Sequence, residues 1–260
     1  MDTGVAFLMY HELQLPGREL CQSDPGYTRY IVSASAFENQ IRSLRSLGYQ
    51  GIDVRQALEN SSPKKVVITF DDGCETDLEV AAPVLSSLGF GATFYVTAGF
   101  LGRRGYMTEA QLRELCSRGF DVGCHSMTHP YLPDLDDAGL QREIFEAKSR
   151  LEQIMGKRVD HFSCPGGRFN KRVVHAVKRA GYRTLATSRP HLNSRSTNPF
   201  ALGRIAVLCD TTEEQLATIC QGGGLWKLNA QRTVLDSAKS ILGNSTYERL
   251  RSLLLGTRST

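Results

Sequence analysis

Between Lys65 and Phe70 the chain reads Lys-Val-Val-Ile-Thr-Phe and then meets two adjacent carboxylates and a glycine, Asp71-Asp72-Gly73. Such an apolar, β-branched run favours a buried strand. The acids then sit at its C-terminal end, where α/β folds place their chemistry. Gly73 lets the chain turn sharply. Adjacent strand residues point to opposite faces, so a bend past the strand end is needed for both carboxylates to approach one centre. Taken alone, Asp-Asp-Gly reads better as a plain turn than as a site.

A second element tips the balance. The predicted strand Phe120-Asp121-Val122-Gly123-Cys124 delivers His125-Ser126-Met127-Thr128-His129-Pro130 to another strand end. Histidine is the commonest ligand of borderline metals, and the spacing predicts two imidazoles on one side of a single helical turn. The zincin arrangement is excluded, because that motif needs Glu after the first His in a long helix, whereas Ser126 and Pro130 stand here. Cys74, Cys124 and Cys164 neighbour these motifs. Strand alternation turns Cys124 away from His125, so a hard Asp and His set is expected at the metal rather than thiolates.

Thr69-Phe70-Asp71-Asp72-Gly73 and His125-Ser126-Met127-Thr128-His129-Pro130 resemble the first two signature motifs of the polysaccharide deacetylases, carbohydrate esterase family 4. Ser163-Cys164-Pro165-Gly166-Gly167-Arg168-Phe169-Asn170 resembles the third in part, and the similarity spans about Val5 to Val207. The resemblance implies Asp72, His125 and His129 as metal ligands, Asp71 as general base and the Gly166 N–H as an oxyanion donor. It implies a divalent metal, zinc first, with cobalt, nickel, manganese or iron as alternatives.

Two positions depart from the pattern. Ser163 stands where many members carry an Arg that orients the base, and Cys209 falls where a late general-acid His is usual. A small buried residue is the expected role for Cys209. His11, at the end of the predicted strand Val5–Tyr10, is the favoured alternative proton donor. His191 is read as an exposed loop residue, and His161 and His175 as structural. Arg204, in the strand Leu202–Val207, is expected either to orient an acid near the metal or to make a structural ion pair.

Strand and helix signals alternate along the chain, which implies a parallel sheet. The resemblance adds the form, a distorted (β/α) barrel of the polysaccharide deacetylase type, over residues 1–210. Ser35-Ala36-Phe37-Glu38 reads as a capping box opening a helix to Leu47, and Thr108 opens another that closes at Gly119. Asp137 to Met155 carries an apolar stripe at Ile144, Ala147, Leu151 and Ile154. The segment Arg189–Pro199 reads as an exposed loop. A length of 260 residues suits one barrel plus an appendage, expected at 211–260.

Beyond Gly224, six basic residues face two acids, which accounts for the formal net charge of +4. Val234, Leu235, Ala238, Ile241 and Leu242 form one helical apolar face there, and Leu250, Leu253 and Leu254 another. A basic helical hairpin packed on the barrel is expected, with peripheral contact to an anionic membrane as the sharper alternative. The basic residues are not interleaved with stacking aromatics, which argues against nucleic acid.

Seven cysteines without a disulfide-like framework, and a start lacking a leader-like segment, predict a cytoplasmic protein at or near the inner membrane face; a trimmed, exported form is the competing expectation. The expected substrate is an N-acetylated saccharide, as a polysaccharide or a lipid- or nucleotide-linked glycan precursor. A hydrolase of small linear or cyclic amides and a degenerate carbohydrate-binding protein are the alternatives. Nothing in the sequence sets the oligomeric state.

Overall fold

The computed structural model describes residues 4–59 and 64–230. Its strands are β1 (Ala6–Tyr10), β2 (Leu13–Gln14), β3 (Val32–Ser33), β4 (Gln50–Ile52), β5 (Lys65–Asp72), β6 (Thr93–Val96), β7 (Asp121–Cys124), β8 (His161–Ser163), β9 (Thr184–Ala186) and β10 (Ile205–Ala206). The main sheet is parallel, in the order β10-β1-β5-β6-β7-β8-β9, and β4 pairs with the start of β5. Leu202 bridges to Ala186 of β9, and β10 a few residues on pairs with β1, so one short segment brings the two sheet edges together. The parallel sheet is the one the alternation of elements implied, and its closure is the distorted α/β barrel expected from the family resemblance. β2 and β3 form a separate two-stranded ribbon.

β5 organises the interior through the period of two of a strand. Val66, Ile68 and Phe70 face the helices, where Phe70 stacks between Tyr10 and Phe94 at centroid distances of 5.4 and 5.0 Å. Val67 faces a smaller inner cluster with Val5, Phe7, Ile52, Val54, Tyr95, Ala186 and Leu202. The same alternation sends Asp71 inward.

The helices close as glycine and cap chemistry dictates. Thr108 and Gln111 form a reciprocal capping box. The helix Ala34–Ser46 is capped by Ser33, whose hydroxyl accepts the Ala36 N–H, rather than by Ser35. Ser33 and Ser35 flank Ala34 and both carry a cap-type hydroxyl, and the β3 backbone fixes the earlier start. Of the predicted apolar stripe, Ile144, Ala147 and Leu151 are fully buried and Ile154 is half-buried.

Arg189–Pro199 is tied down more than its composition suggested. Asn193 exchanges backbone hydrogen bonds with Val5 and side-chain hydrogen bonds with Gly203, and both Asn193 and Pro190 are buried. Cys209 is exposed rather than buried.

The helix Glu213–Cys220 buries Leu216 and Cys220 against the barrel core. The apolar faces read at 234–242 and 250–254 lie outside the described residues. Among the described residues no helix is long and apolar enough to cross a membrane.

Candidate metal centre

The two acids of β5 diverge by backbone conformation. Asp71 continues the strand and points into the barrel. Asp72 takes φ +81°, a left-handed conformation that costs a residue with a Cβ about 1 kcal/mol or more and marks a site held by its surroundings. Gly73 follows at φ +85°, where an added Cβ would press on the Val96 side chain at 2.9 Å. These two turned residues bring Asp72 to the centre that Asp71 approaches from the strand.

His125 and His129 reach the same place from β7, but through an irregular loop and not the helical turn expected from their spacing. Ser126 and His129 both have positive φ, 69° and 64°, which no helix allows. The loop is held by Ser126 Oγ, which accepts the His129 N–H at 2.9 Å, and by Glu143. Glu143 is fully buried and accepts the N–H groups of Met127 and Thr128 and the Thr128 hydroxyl at 2.7–3.0 Å.

The ligand atoms of Asp72, His125 and His129 all lie within 4.8 Å of one another. Asp72 Oδ1 stands 3.7 Å from His125 Nε2 and 3.5 Å from His129 Nε2, too far for hydrogen bonds, and it is buried with no hydrogen-bond partner. A tetrahedral cation with bonds of about 2.1 Å would set its ligands about 3.4 Å apart, so the spacing fits a shared metal ion. The backbone carbonyl of Ser163 accepts from His125 Nδ1 at 2.9 Å. That bond places the proton on Nδ1 and leaves the Nε2 lone pair facing Asp72. Burial drives the His125 pKa down to about 4, against the opposing pull of Asp71, so the ring stays neutral as a ligand must.

Asp71 lies beside this set, its Oδ2 3.7 Å from His125 Nε2. Arg204 grips it bidentately, with Nη1 to Oδ1 at 2.6 Å and Nη2 to Oδ2 at 2.7 Å. The remaining donors go to Thr187 O, Thr69 Oγ1 and Ser163 Oγ, so all five guanidinium N–H groups are used in a fully buried side chain. Burial alone would raise the Asp71 pKa. The Arg204 charge and hydrogen bonds, with His125, outweigh it and hold the carboxyl well below its usual range. Of the two roles the sequence left open for Arg204, orientation of an acid is the one the geometry carries. The arginine that the family pattern expected at Ser163 is replaced in space by one from the neighbourhood of β10, with Ser163 as its hydrogen-bond partner.

His11 follows β1, half-buried, with a buried Nδ1 that has no hydrogen-bond partner and a ring 4.9 Å from that of Tyr30. Burial lowers its pKa against the pull of Asp72 and Asp71. Gly166 is exposed at φ +59°, and an added Cβ would meet the Tyr131 ring at 2.8 Å.

Cys124 and Cys164 point into the hydrophobic core, and Cys74 belongs to a separate cluster with Glu12 and Cys21. His191 is half-buried against Gly203, and His161 lies at the opposite end of the barrel. Glu143 and the Ser163 carbonyl escaped the sequence reading. An acid beside Ile144 on a buried face was the one available signal for Glu143, and a backbone acceptor leaves none.

The polysaccharide deacetylase family model matches residues 59–185, a span that contains both acids and both histidines. A crystal structure of a polysaccharide deacetylase from Bacillus cereus superposes with a TM-score of 0.74 at 26% identity, covering 84% of this chain and 69% of that one. The chain is similar to the polysaccharide deacetylases across the segment that carries the candidate metal centre. A Bacillus subtilis chain assigned to the same family is 29% identical over 182 residues, 68% of this chain and 65% of the relative. A peptidoglycan-N-acetylglucosamine deacetylase of Bacillus cereus is 31% identical over 49% of this chain and 58% of the relative. The chain therefore spans about three fifths of the length of these two curated relatives. IcaB from Ammonifex degensii, at 25% identity and a TM-score of 0.73, covers 85% of this chain and 98% of its own.

Proposed function

We propose that the chain is a metal-dependent hydrolase that removes N-acetyl groups from an N-acetylated saccharide. One observation carries this reading: Asp72, His125 and His129 converge with an unpartnered buried carboxylate oxygen among them, beside a second carboxylate fixed by Arg204. Its substrate class is supported by relatives named for N-acetylglucosamine polymers. They are the Bacillus cereus enzyme and a Staphylococcus aureus poly-beta-1,6-N-acetyl-D-glucosamine N-deacetylase, 24% identical over 71% of this chain and 70% of its own length.

Asp72, His125 and His129 would hold the cation, with zinc best suited to the donor set. A divalent cation there supplies Lewis acidity, which activates water and polarises the acetamide carbonyl. Asp71, kept ionised and oriented by Arg204, takes a proton from the attacking water. The Gly166 N–H donates to the carbonyl oxygen as negative charge develops on it. His11 rests neutral against the pull of both acids and is the group that would hand a proton to the departing amine once it has gained one. Acetate and a free amino sugar result.

Acetate release from N-acetylglucosamine oligomers by the full chain tests the reading. Release should stop on chelation and return with zinc. No acetate from any N-acetylated saccharide at metal saturation would overturn it.

A further inference from the structure

Past Asp72 the chain enters a second group of ligand-type side chains that the proposed hydrolysis does not use. Cys74 follows Gly73 and is fully buried. The Sγ of Cys21, from the segment between β2 and β3, lies 3.7 Å from the Sγ of Cys74. One ligand atom each from Glu12, Cys21 and Cys74 falls within 4.8 Å of the other two. Glu12 is fully buried, and its Oε2 accepts the Cys21 N–H at 2.9 Å and the Tyr27 hydroxyl at 2.8 Å, which aim the carboxylate.

A disulfide needs sulfurs about 2.05 Å apart, whereas two thiolates on a tetrahedral zinc, with bonds of about 2.3 Å, stand about 3.8 Å apart. The observed separation fits the second geometry. A further buried acid follows Cys74 by three residues. Asp77, whose N–H donates to the Cys74 carbonyl at 3.0 Å, is fully buried and neither carboxylate oxygen has a hydrogen-bond partner. The nearby cation, Arg18, is held by Glu12 and Glu75.

We propose that Cys21, Cys74 and Glu12 form a second metal site, thiolate-rich and suited to zinc or another borderline-to-soft divalent cation, separate from the Asp72-His125-His129 centre. As the two sulfur–metal bonds form, the two thiol protons leave to solvent. The cation ties together three segments: the residue after His11, the loop carrying Cys21 and the turn after Asp72. It acts as a structural clamp on elements that carry the proposed catalytic groups.

Cobalt titration of the full chain tests this without reading acetate, so it stands or falls apart from the proposed activity. Sulfur ligands give cobalt an intense thiolate charge-transfer band, which an Asp-His-His set does not produce. The band is expected in the wild type, lost in Cys21→Ser and retained in Cys209→Ser, which changes an exposed thiol. A wild type without the band at cobalt saturation, a band unchanged in Cys21→Ser, or a Cys21–Cys74 disulfide in the non-reduced protein by peptide mass mapping would each overturn the proposal.

Discussion

The two ends of the barrel both bury histidine beside carboxylate, and they differ in what happens to the lone pairs. At the strand starts, His161 Nδ1 meets Thr184 Oγ1 at 3.0 Å, and Thr93 Oγ1 donates to Asp121 Oδ2 at 2.7 Å. Neighbouring strands in register supply these hydroxyls, Thr93 opposite Asp121 and His161 opposite Thr184. At the strand ends, Asp72 Oδ1 has no such partner, and two imidazole nitrogens face it beyond hydrogen-bond reach. A buried His-Asp pair is therefore not in itself a metal site. Backbone turned into left-handed conformations at Asp72, Ser126 and His129 leaves the lone pairs for something outside the chain.

Replacing groups at each end separates the two kinds of burial. His125→Ala is expected to have the largest effect, loss of the metal at this centre and of acetate release to background, read by metal analysis and an acetate assay. Asp71→Asn should lower kcat by roughly 10²–10⁴-fold while sparing metal content, because general-base catalysis contributes about that much. Unchanged turnover in Asp71→Asn would favour a binding protein over an enzyme.

Arg204→Met leaves Asp71 buried and unpaired, at a cost of about 3–5 kcal/mol in urea unfolding. Stability within 1 kcal/mol or so of wild type would contradict the bidentate clamp.

The strand-start end should respond to pH and not to metal. Burial lowers the His161 pKa to about 4 from 6.5, so above pH 6.5 neither folded nor unfolded chain binds its proton. As pH falls from about 6.5 to about 4, the unfolded chain gains the proton first, and about 3 kcal/mol of stability is lost. Burial raises the Asp121 pKa, which opposes this, so the difference between wild type and His161→Gln isolates the histidine. Identical pH dependence in the two would remove the assignment.

The strand ends were legible in the sequence because β-branched runs stop at acids and at histidine, and chemistry at strand ends follows from topology. Geometry within the loops was not legible. The His spacing suits a helical turn equally well, and only the packing of Glu143 and the Ser126 hydroxyl settles the irregular path. Arg204 could be picked out, but its bidentate grip on Asp71 spans 133 residues of sequence. Glu12, Cys21 and Cys74 come together across a similar kind of gap, 53 residues between the two thiols, which spacing does not encode. The cap read at Ser35 falls instead to Ser33, whose backbone β3 holds extended before the helix.

Crystals of the full chain equilibrated with zinc, with anomalous difference density collected at the zinc edge, measure the main centre directly. A peak about 2.0–2.2 Å from His125 Nε2, His129 Nε2 and an Asp72 oxygen, with Asp71 outside bonding distance, is the predicted result. No density among those three side chains, or a cation bound by Asp71 in place of Asp72, would contradict it.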